Sequence, residues 1–190
     1  MTDIVIPSSR ENALQDLVFS RPWFSYFENI FRAIRGETDV KLGGLLSVDT
    51  TSASNSGTGQ TDLISYTLSA SQMPNNGDVL EIEAWGVYAA NGNNKTITLE
   101  FGSQTILDTG AIAANDGSWR IKAKVIRTAA ATQEIIAEII SSNSSVSDST
   151  TRTAGTQTLT GSIEIKCTAT GGASSDITQH CLLTNLYLNS

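Results

Sequence analysis

From Leu45 to the end of the chain, apolar and polar side chains alternate with a period of two, the spacing of a half-buried β-strand. The longest example is Val79–Ala89. Leu80, Ile82, Ala84, Gly86 and Tyr88 fall on one face, and Glu81, Glu83 and Trp85 on the other. Trp119–Thr128 repeats the scheme, with Trp119, Ile121, Ala123 and Val125 against Arg120, Lys122 and Lys124. Thr96–Phe101 turns Ile97, Leu99 and Phe101 inward, and Thr158–Thr170 sets Leu159, Gly161, Ile163, Ile165 and Cys167 against Thr160, Ser162, Glu164 and Lys166. Leu45–Thr51, Asp62–Leu68, Gln104–Thr109 and Ile177–Leu188 complete the clear strands.

Two stretches are ambiguous. Ile135, Ile136, Ile139 and Ile140 within Gln133–Ser141 have helical spacing, but the density of β-branched residues favours a strand. Ser141–Thr156 has little apolar pattern and reads as an exposed loop or a frayed strand, and Ser52–Gln60 reads as a loop. Turn chemistry at Pro74–Gly77, Asn91–Asn94 and Asn115–Gly117 separates the runs. Strands with one apolar and one polar face predict two packed antiparallel sheets. Eight or nine of them suit a jelly-roll-like β-sandwich; an immunoglobulin-type sandwich is the alternative, but the Trp and Cys spacing that would mark it is missing.

The segment before Gly36 has a different period. Trp23, Phe27, Ile30 and Ile34 are spaced four, three and four residues apart, which makes an apolar helical seam. Phe24, Tyr26 and Phe31 widen it. Ser20 suits an N-cap, Pro22 the first turn and Gly36 the C-terminal stop, with Arg32 and Arg35 near the negative end of the helix dipole. A helix of about four turns is marginal alone in water, so this face requires a cover. The expectation is an arm and amphipathic anchor or oligomerisation helix over residues 1–43, and a β domain over 44–190. Trp23, Phe24, Phe27, Ile30, Phe31 and Ile34 are the anchor residues. The apolar run is interrupted by Glu28, Asn29 and Arg32 and falls short of the roughly 20 residues of a membrane span.

Composition narrows the chemistry. The chain of 190 residues carries a net charge of −7 with only 16% charged residues, and its Lys and Arg form no stripe, which argues against a nucleic-acid partner. The start of the sequence lacks the basic region and apolar core of a signal peptide, so synthesis in the cytoplasm is expected. The single histidine, His180, leaves little room for His-based triads or metal sites. Glu81 and Glu83 stand about 6–7 Å apart by strand rise, which a glycosidase pair could use, yet alternating glutamates on a solvent face are ordinary. Asn75, Asn76 and Asp78, or Asn91, Asn93 and Asn94, offer oxygen ligands for calcium, but turn chemistry accounts for them. Cys167 and Cys181 would face each other across a hairpin centred on Ser174, either as buried thiols or as a cross-strand disulfide, with His180 on the opposite face from Cys181. No catalytic constellation, cofactor or metal site is expected. Trp85 is a candidate ligand or interface aromatic if it projects outward, and a core residue if a bulge shifts the register.

The aromatic segment Trp23–Gly36, together with the blocks Asp62–Leu68, Asn76–Gly86, Lys95–Gly102 and Gly117–Ile121, resembles tailed-bacteriophage virion structural proteins of the short fibre, spike or decoration type. That resemblance covers about residues 20–140. It implies a non-enzymatic particle component, a homotrimer attached to other virion proteins through its N-terminal segment, with a jelly-roll knob facing outward. A host-surface glycan would then be a candidate partner of the knob. The absence of a fibrous shaft favours a compact appendage over a long fibre. A capsid decoration or head-fibre protein and a carbohydrate-binding module are the alternatives.

Overall fold

The computed structural model describes residues 43–189; the six anchor residues Trp23, Phe24, Phe27, Ile30, Phe31 and Ile34 lie outside them. The described residues form eleven strands and no helix. In chain order these are β1 (Gly44–Asp49), β2 (Ala53–Ser54), β3 (Thr61–Leu68), β4 (Val79–Tyr88), β5 (Thr96–Phe101), β6 (Gln104–Asp108), β7 (Ser118–Ala129), β8 (Thr132–Ser141), β9 (Ser149–Gly155), β10 (Ile163–Thr170) and β11 (Ile177–Tyr187).

Every strand pairing is antiparallel. The large sheet runs β1-β11-β4-β7-β8-β9, with β2 also on β11, and the small sheet runs β3-β10-β5-β6. One core lies between them. The large sheet contributes Leu80, Ile82, Ala84, Ile121, Val125, Ile135 and Ile139, and the small sheet Leu68, Ile97, Leu99, Phe101, Ile163 and Ile165. The alternation of β4, β5 and β7 is therefore the alternation of the sequence. Ile135 and Ile139 are buried while Ile136 and Ile140 are exposed, so the isoleucine quartet is split by a strand between core and solvent.

Two sequence expectations change, and one open alternative is resolved. Gly171–Asp176 does not close a hairpin, because β10 belongs to the small sheet and β11 to the large one. The connection crosses between layers, and Cys167 and Cys181 are free, buried thiols in different sheets. The polar run after Ser141, read as an exposed loop or a frayed strand, contains the strand β9, which pairs along β8 from Ser149↔Ile139 to Gly155↔Gln133. Residues 158–162 precede β10 as a turn, although Leu159 reaches the core.

Two bulges set the inward faces, and one side chain serves both. β11 shifts register between Gln179 and Cys181, and the register of β10 on β3 shifts opposite Leu63 and Ile64. A bulge leaves ladder groups without strand partners. Gln179, fully buried between the sheets, accepts the Ile64 N–H at 3.1 Å through Oε1 and donates through Nε2 to the Cys181 carbonyl at 3.0 Å. At the other margin Gln104 plays a similar part, donating to the Ala154 carbonyl at 2.7 Å and accepting the Thr156 N–H at 3.2 Å.

Replacing Gln179 with Met keeps the volume but strands one buried N–H and one carbonyl, each costing about 1–3 kcal/mol. Gln179→Met is expected to lower the urea midpoint by the equivalent of about 2–6 kcal/mol, against less than about 1.5 kcal/mol for a volume-conserving apolar swap such as Leu99→Met. Equal losses in the two variants would show that the bulges do not depend on this amide.

Candidate functional site

The two outer faces of the sandwich differ in kind. The outer face of the small sheet is hydroxyl-rich and charged. It carries the cross-strand rows Ser65–Lys166–Glu100–Thr105 and Asp62–Thr168–Thr98–Asp108. There Lys166 binds Asp62 at 2.8 Å, with Glu164 at 3.6 Å and Glu100 at 3.9 Å. The hydrogen bond to Asp62 raises the Lys166 pKa above its ordinary value.

All seven exposed large apolar side chains among the described residues sit on the large sheet: Leu45, Val48, Trp85, Val87, Ile136, Ile140 and Tyr187. Antiparallel register aligns its outer side chains in rows. One row reads Leu45–Asn185–Glu81–Lys124–Ile136–Arg152, and the next Val48–Leu183–Glu83–Lys122–Glu138–Thr150. A third reads Cys181–Trp85–Arg120–Ile140. Trp85 thus points outward as the alternation predicts, with 37% of its surface exposed. The bulge that would have turned it inward is in β11 instead. That bulge brings Cys181 onto the row of Trp85, and His180 is exposed beside it, sharing a 2.8 Å hydrogen bond between Nδ1 and Ser52 Oγ. His180 and Cys181 are therefore not set on opposite faces as the simple alternation implied.

The glutamates of β4 meet the cations of β7. Lys124 lies 3.7 Å from Glu81, Lys122 3.7 Å from Glu83, and Arg120 Nε 3.5 Å from Glu83. Tyr187 donates its hydroxyl proton to Glu81 at 3.1 Å, and this bond raises the phenol pKa. Such exposed pairs contribute little stability, but they fix where each charge sits. Two shallow depressions cross the face. One of about 400 Å³ is lined by Glu81, Lys122, Lys124, Ile136 and Glu138. The other, about 500 Å³, is lined by Trp85, Ser118, Arg120, Ile140 and Ser142.

The asparagines considered as calcium ligands do surround a cation, and it is a lysine. Lys95 is fully buried. Its ammonium donates to the Asn91 carbonyl at 3.0 Å, Asn91 Oδ1 at 2.8 Å, the Asn93 carbonyl at 3.2 Å and the Ala114 carbonyl at 2.7 Å. Asn91 and Asn93 in turn donate their amide hydrogens to Asp176, at 2.7 Å and 3.0 Å. Asp176 also accepts the backbone N–H groups of Gly172 and Ala173, each at 2.8 Å. Burial by itself would raise this carboxyl, but the bonds from Asn91, Ala173, Asn93 and Gly172 outweigh it and hold the pKa below the usual aspartate range. A tethered ammonium and a carboxylate thus lock the Asn91–Lys95 turn to the crossover before β11. At the other turn, Asp78 accepts the Asn75 N–H at 2.7 Å and the Asn189 N–H at 2.8 Å, closing the chain end onto the sheet.

Neither thiol is activated. Burial pushes Cys167 up to about 12. Burial, then Asp49 and Glu83, raises Cys181. Among the described residues no three His, Cys, Asp or Glu side chains converge in a metal-binding arrangement.

No family model matches the sequence, and no curated protein matches it. Among solved structures, the infectious bursal disease virus VP2 subviral particle is similar at 13% identity and a TM-score of 0.26, covering 75% of this chain and 41% of that one. The structure of the infectious bursal disease virus Gt strain is similar at 15% identity and a TM-score of 0.24, covering 77% and 41%. The chain thus spans about two-fifths of the length of each of these neighbours.

Two outcomes follow from the lysine cradle. Lys95→Met removes the one donor among the described residues that reaches all four oxygens and is expected to cost about 3 kcal/mol or more, read as a lowered thermal midpoint. For Asp176 the folded pKa lies below the unfolded value of about 3.9. Its stabilisation is therefore complete above about pH 4 and lost as pH falls through the folded value. Chemical denaturation from pH 6 down to pH 2 should show Asp176→Asn closing its stability deficit as the wild type titrates. A deficit that stays constant over that range would deny Asp176 the role.

Proposed function

We propose that this chain is a non-enzymatic structural component of a virus particle, built on a jelly roll. The observation that carries a structural reading is the contrast between the two outer faces. One is polar throughout, and the other gathers every exposed large apolar side chain described, which is the mark of a surface meant to be covered. The wiring supports the jelly-roll reading. β1-β11-β4-β7 faces β3-β10-β5-β6, so the eight strands interleave as two Greek keys, with β8 and β9 inserted as an extension of the large sheet. Jelly rolls serve as capsid and lectin domains, and that step is analogy of fold rather than of site.

In its finer form the proposal is a bacteriophage appendage, a homotrimeric tail fibre or spike held to other virion proteins by Trp23, Phe24, Phe27, Ile30, Phe31 and Ile34. A capsid decoration or head fibre is the other placement within the same class. The groove beside Trp85 favours a second reading, a saccharide-binding knob, because an indole next to Arg120 and serine hydroxyls suits a sugar ring.

Antibodies against the full chain are expected to label purified particles, and absence of the chain from particles would remove the virion assignment. Sedimentation of the full chain tests the trimer. Three times the 20.2 kDa chain, or a multiple of that, is expected, and a species of one or two copies would dismiss the three-fold contact. For the second reading, glycan binding lost in Trp85→Ala is the supporting result, and no binding to any glycan the opposing one.

A further inference from the structure

We propose that the outer face formed by β4, β7, β8 and β9 is a two-fold contact with a second copy of this chain. It rests on the structural reading above but is separate from the three-fold contact expected there.

The argument is the order of charge across the strands. β4 presents Glu81 and Glu83, β7 presents Arg120, Lys122 and Lys124, β8 presents Glu134 and Glu138, and β9 presents Arg152. The columns therefore run negative, positive, negative, positive. Such a series is complementary to its own reversal. A two-fold axis parallel to the strands and midway between β7 and β8 lays β8 of the second copy over β7, and β9 of the second copy over β4. Every column then meets one of opposite sign. Moving that axis by half a strand spacing, onto β7 itself, sets β7 over β7 and β4 over β8, so basic meets basic and acidic meets acidic, while β9 lies over the uncharged outer face of β11. Like charges across an interface oppose that alternative.

The rows agree with the columns, because an axis along the strands keeps each row opposite itself. Lys122 faces Glu138 of the second copy, and Glu81 faces Arg152 of the second copy. Ile136 and Ile140 meet the aliphatic stems of Lys124 and Arg120. Glu138 makes no ion pair among the described residues, so it keeps a carboxylate for this use. The depression of about 400 Å³ between these same side chains gives Ile136 of the second copy a place to enter. The four overlaid strands, about 4.8 Å apart and about ten residues long, offer roughly 600 Å² of face, the lower end of the ~600–1,000 Å² that one partner gives to a standard interface. Sheets stacked face to face align within about 30°, which an axis parallel to the strands permits.

The test uses full-length protein and two charge reversals, Lys122→Glu and Glu138→Lys. Each alone sets like charges against each other and is expected to weaken the two-fold contact at least tenfold in sedimentation equilibrium. Mixed in equal amounts, the two should recover it, because the carboxylate introduced at position 122 of one copy then meets the ammonium introduced at position 138 of the other; within a single chain the mixture changes nothing. Single variants that associate like wild type, or a mixture that stays apart, would overturn the proposal. Both sites are on the surface, and a zero-length carbodiimide crosslink in a mixture of ¹⁴N- and ¹⁵N-labelled wild type gives a reading without mutation. Crosslinks of mixed isotope between Lys122 and Glu138 are expected, and crosslinks confined to one label would overturn the contact. Copy number separates the two contacts. Two copies keep the face and dismiss the trimer, six keep both, three dismiss the face and keep the trimer, and one dismisses both.

Discussion

The sandwich depends on one buried amide. Gln179 stands where strands of both sheets bulge, and it gives each bulge the hydrogen-bond partner that its own ladder withholds. The consequence is a change of phase along β11. Before the bulge Ile177 and Gln179 point inward, and after it Leu182, Thr184 and Leu186 do. A strand without the bulge would turn Leu183 and Asn185 into the core and push Leu182 and Leu186 out, since one residue of slip exchanges the faces. The amide therefore protects the register of the central strand to which β1, β2 and β4 all pair.

Lys95 does for the turns what Gln179 does for the strands. Three backbone carbonyls and one side-chain oxygen converge at the Asn91–Lys95 turn, and buried carbonyls without donors are costly. A bound metal ion would satisfy them, as the asparagine content suggests. The ammonium satisfies them from inside the chain, with no dependence on ion concentration. Asp176 completes the arrangement through Asn91 and Asn93, so the charge of the buried cation is answered at one remove rather than by direct contact. Both devices place a polar group where backbone leaves regular pairing, and both join segments far apart in sequence.

The parts of the fold legible in the sequence are those where the ladder is regular. β4 and β7 pair without interruption from Val79↔Ile126 to Val87↔Ser118, so alternation alone put Trp85 outside and Trp119 inside. Alternation cannot reveal a bulge, and the faces of His180 and Cys181 were hidden for that reason. It also cannot say which sheet a strand joins. The Gly171–Asp176 turn has hairpin composition yet crosses between layers, held there by backbone donors to Asp176 and by Asn55, whose Nδ2 reaches the Ala173 carbonyl at 2.7 Å. β9 was only half in view, its stretch reading as a loop or a frayed strand. Its Ser-Thr-Thr-Arg-Thr-Ala-Gly has almost no apolar face, because its outer side chains meet solvent and its strand character comes from the backbone of β8. The lysine cradle left only its turn asparagines in view; a lone lysine between polar turns gave no sign that it would be buried.

That edge strand changes what the large sheet can do. With β1, β11, β4 and β7 alone, the outer face would carry one acidic column beside one basic column, and its ion pairs would close within the chain. Adding β8 and β9 repeats the acidic and basic columns once more and sets the centre of the series between β7 and β8. The inner side of the same insertion is secured by Ile135, Ala137 and Ile139 in the core and by Gln104 at the margin of the small sheet. A purely stabilising insertion would have every reason to face solvent with Ser and Thr, as β9 mostly does. β8 faces it with Ile136, Glu138 and Ile140, two aliphatic side chains about a carboxylate. Exposing those isoleucines costs free energy in a lone molecule and gains it only when the face is covered.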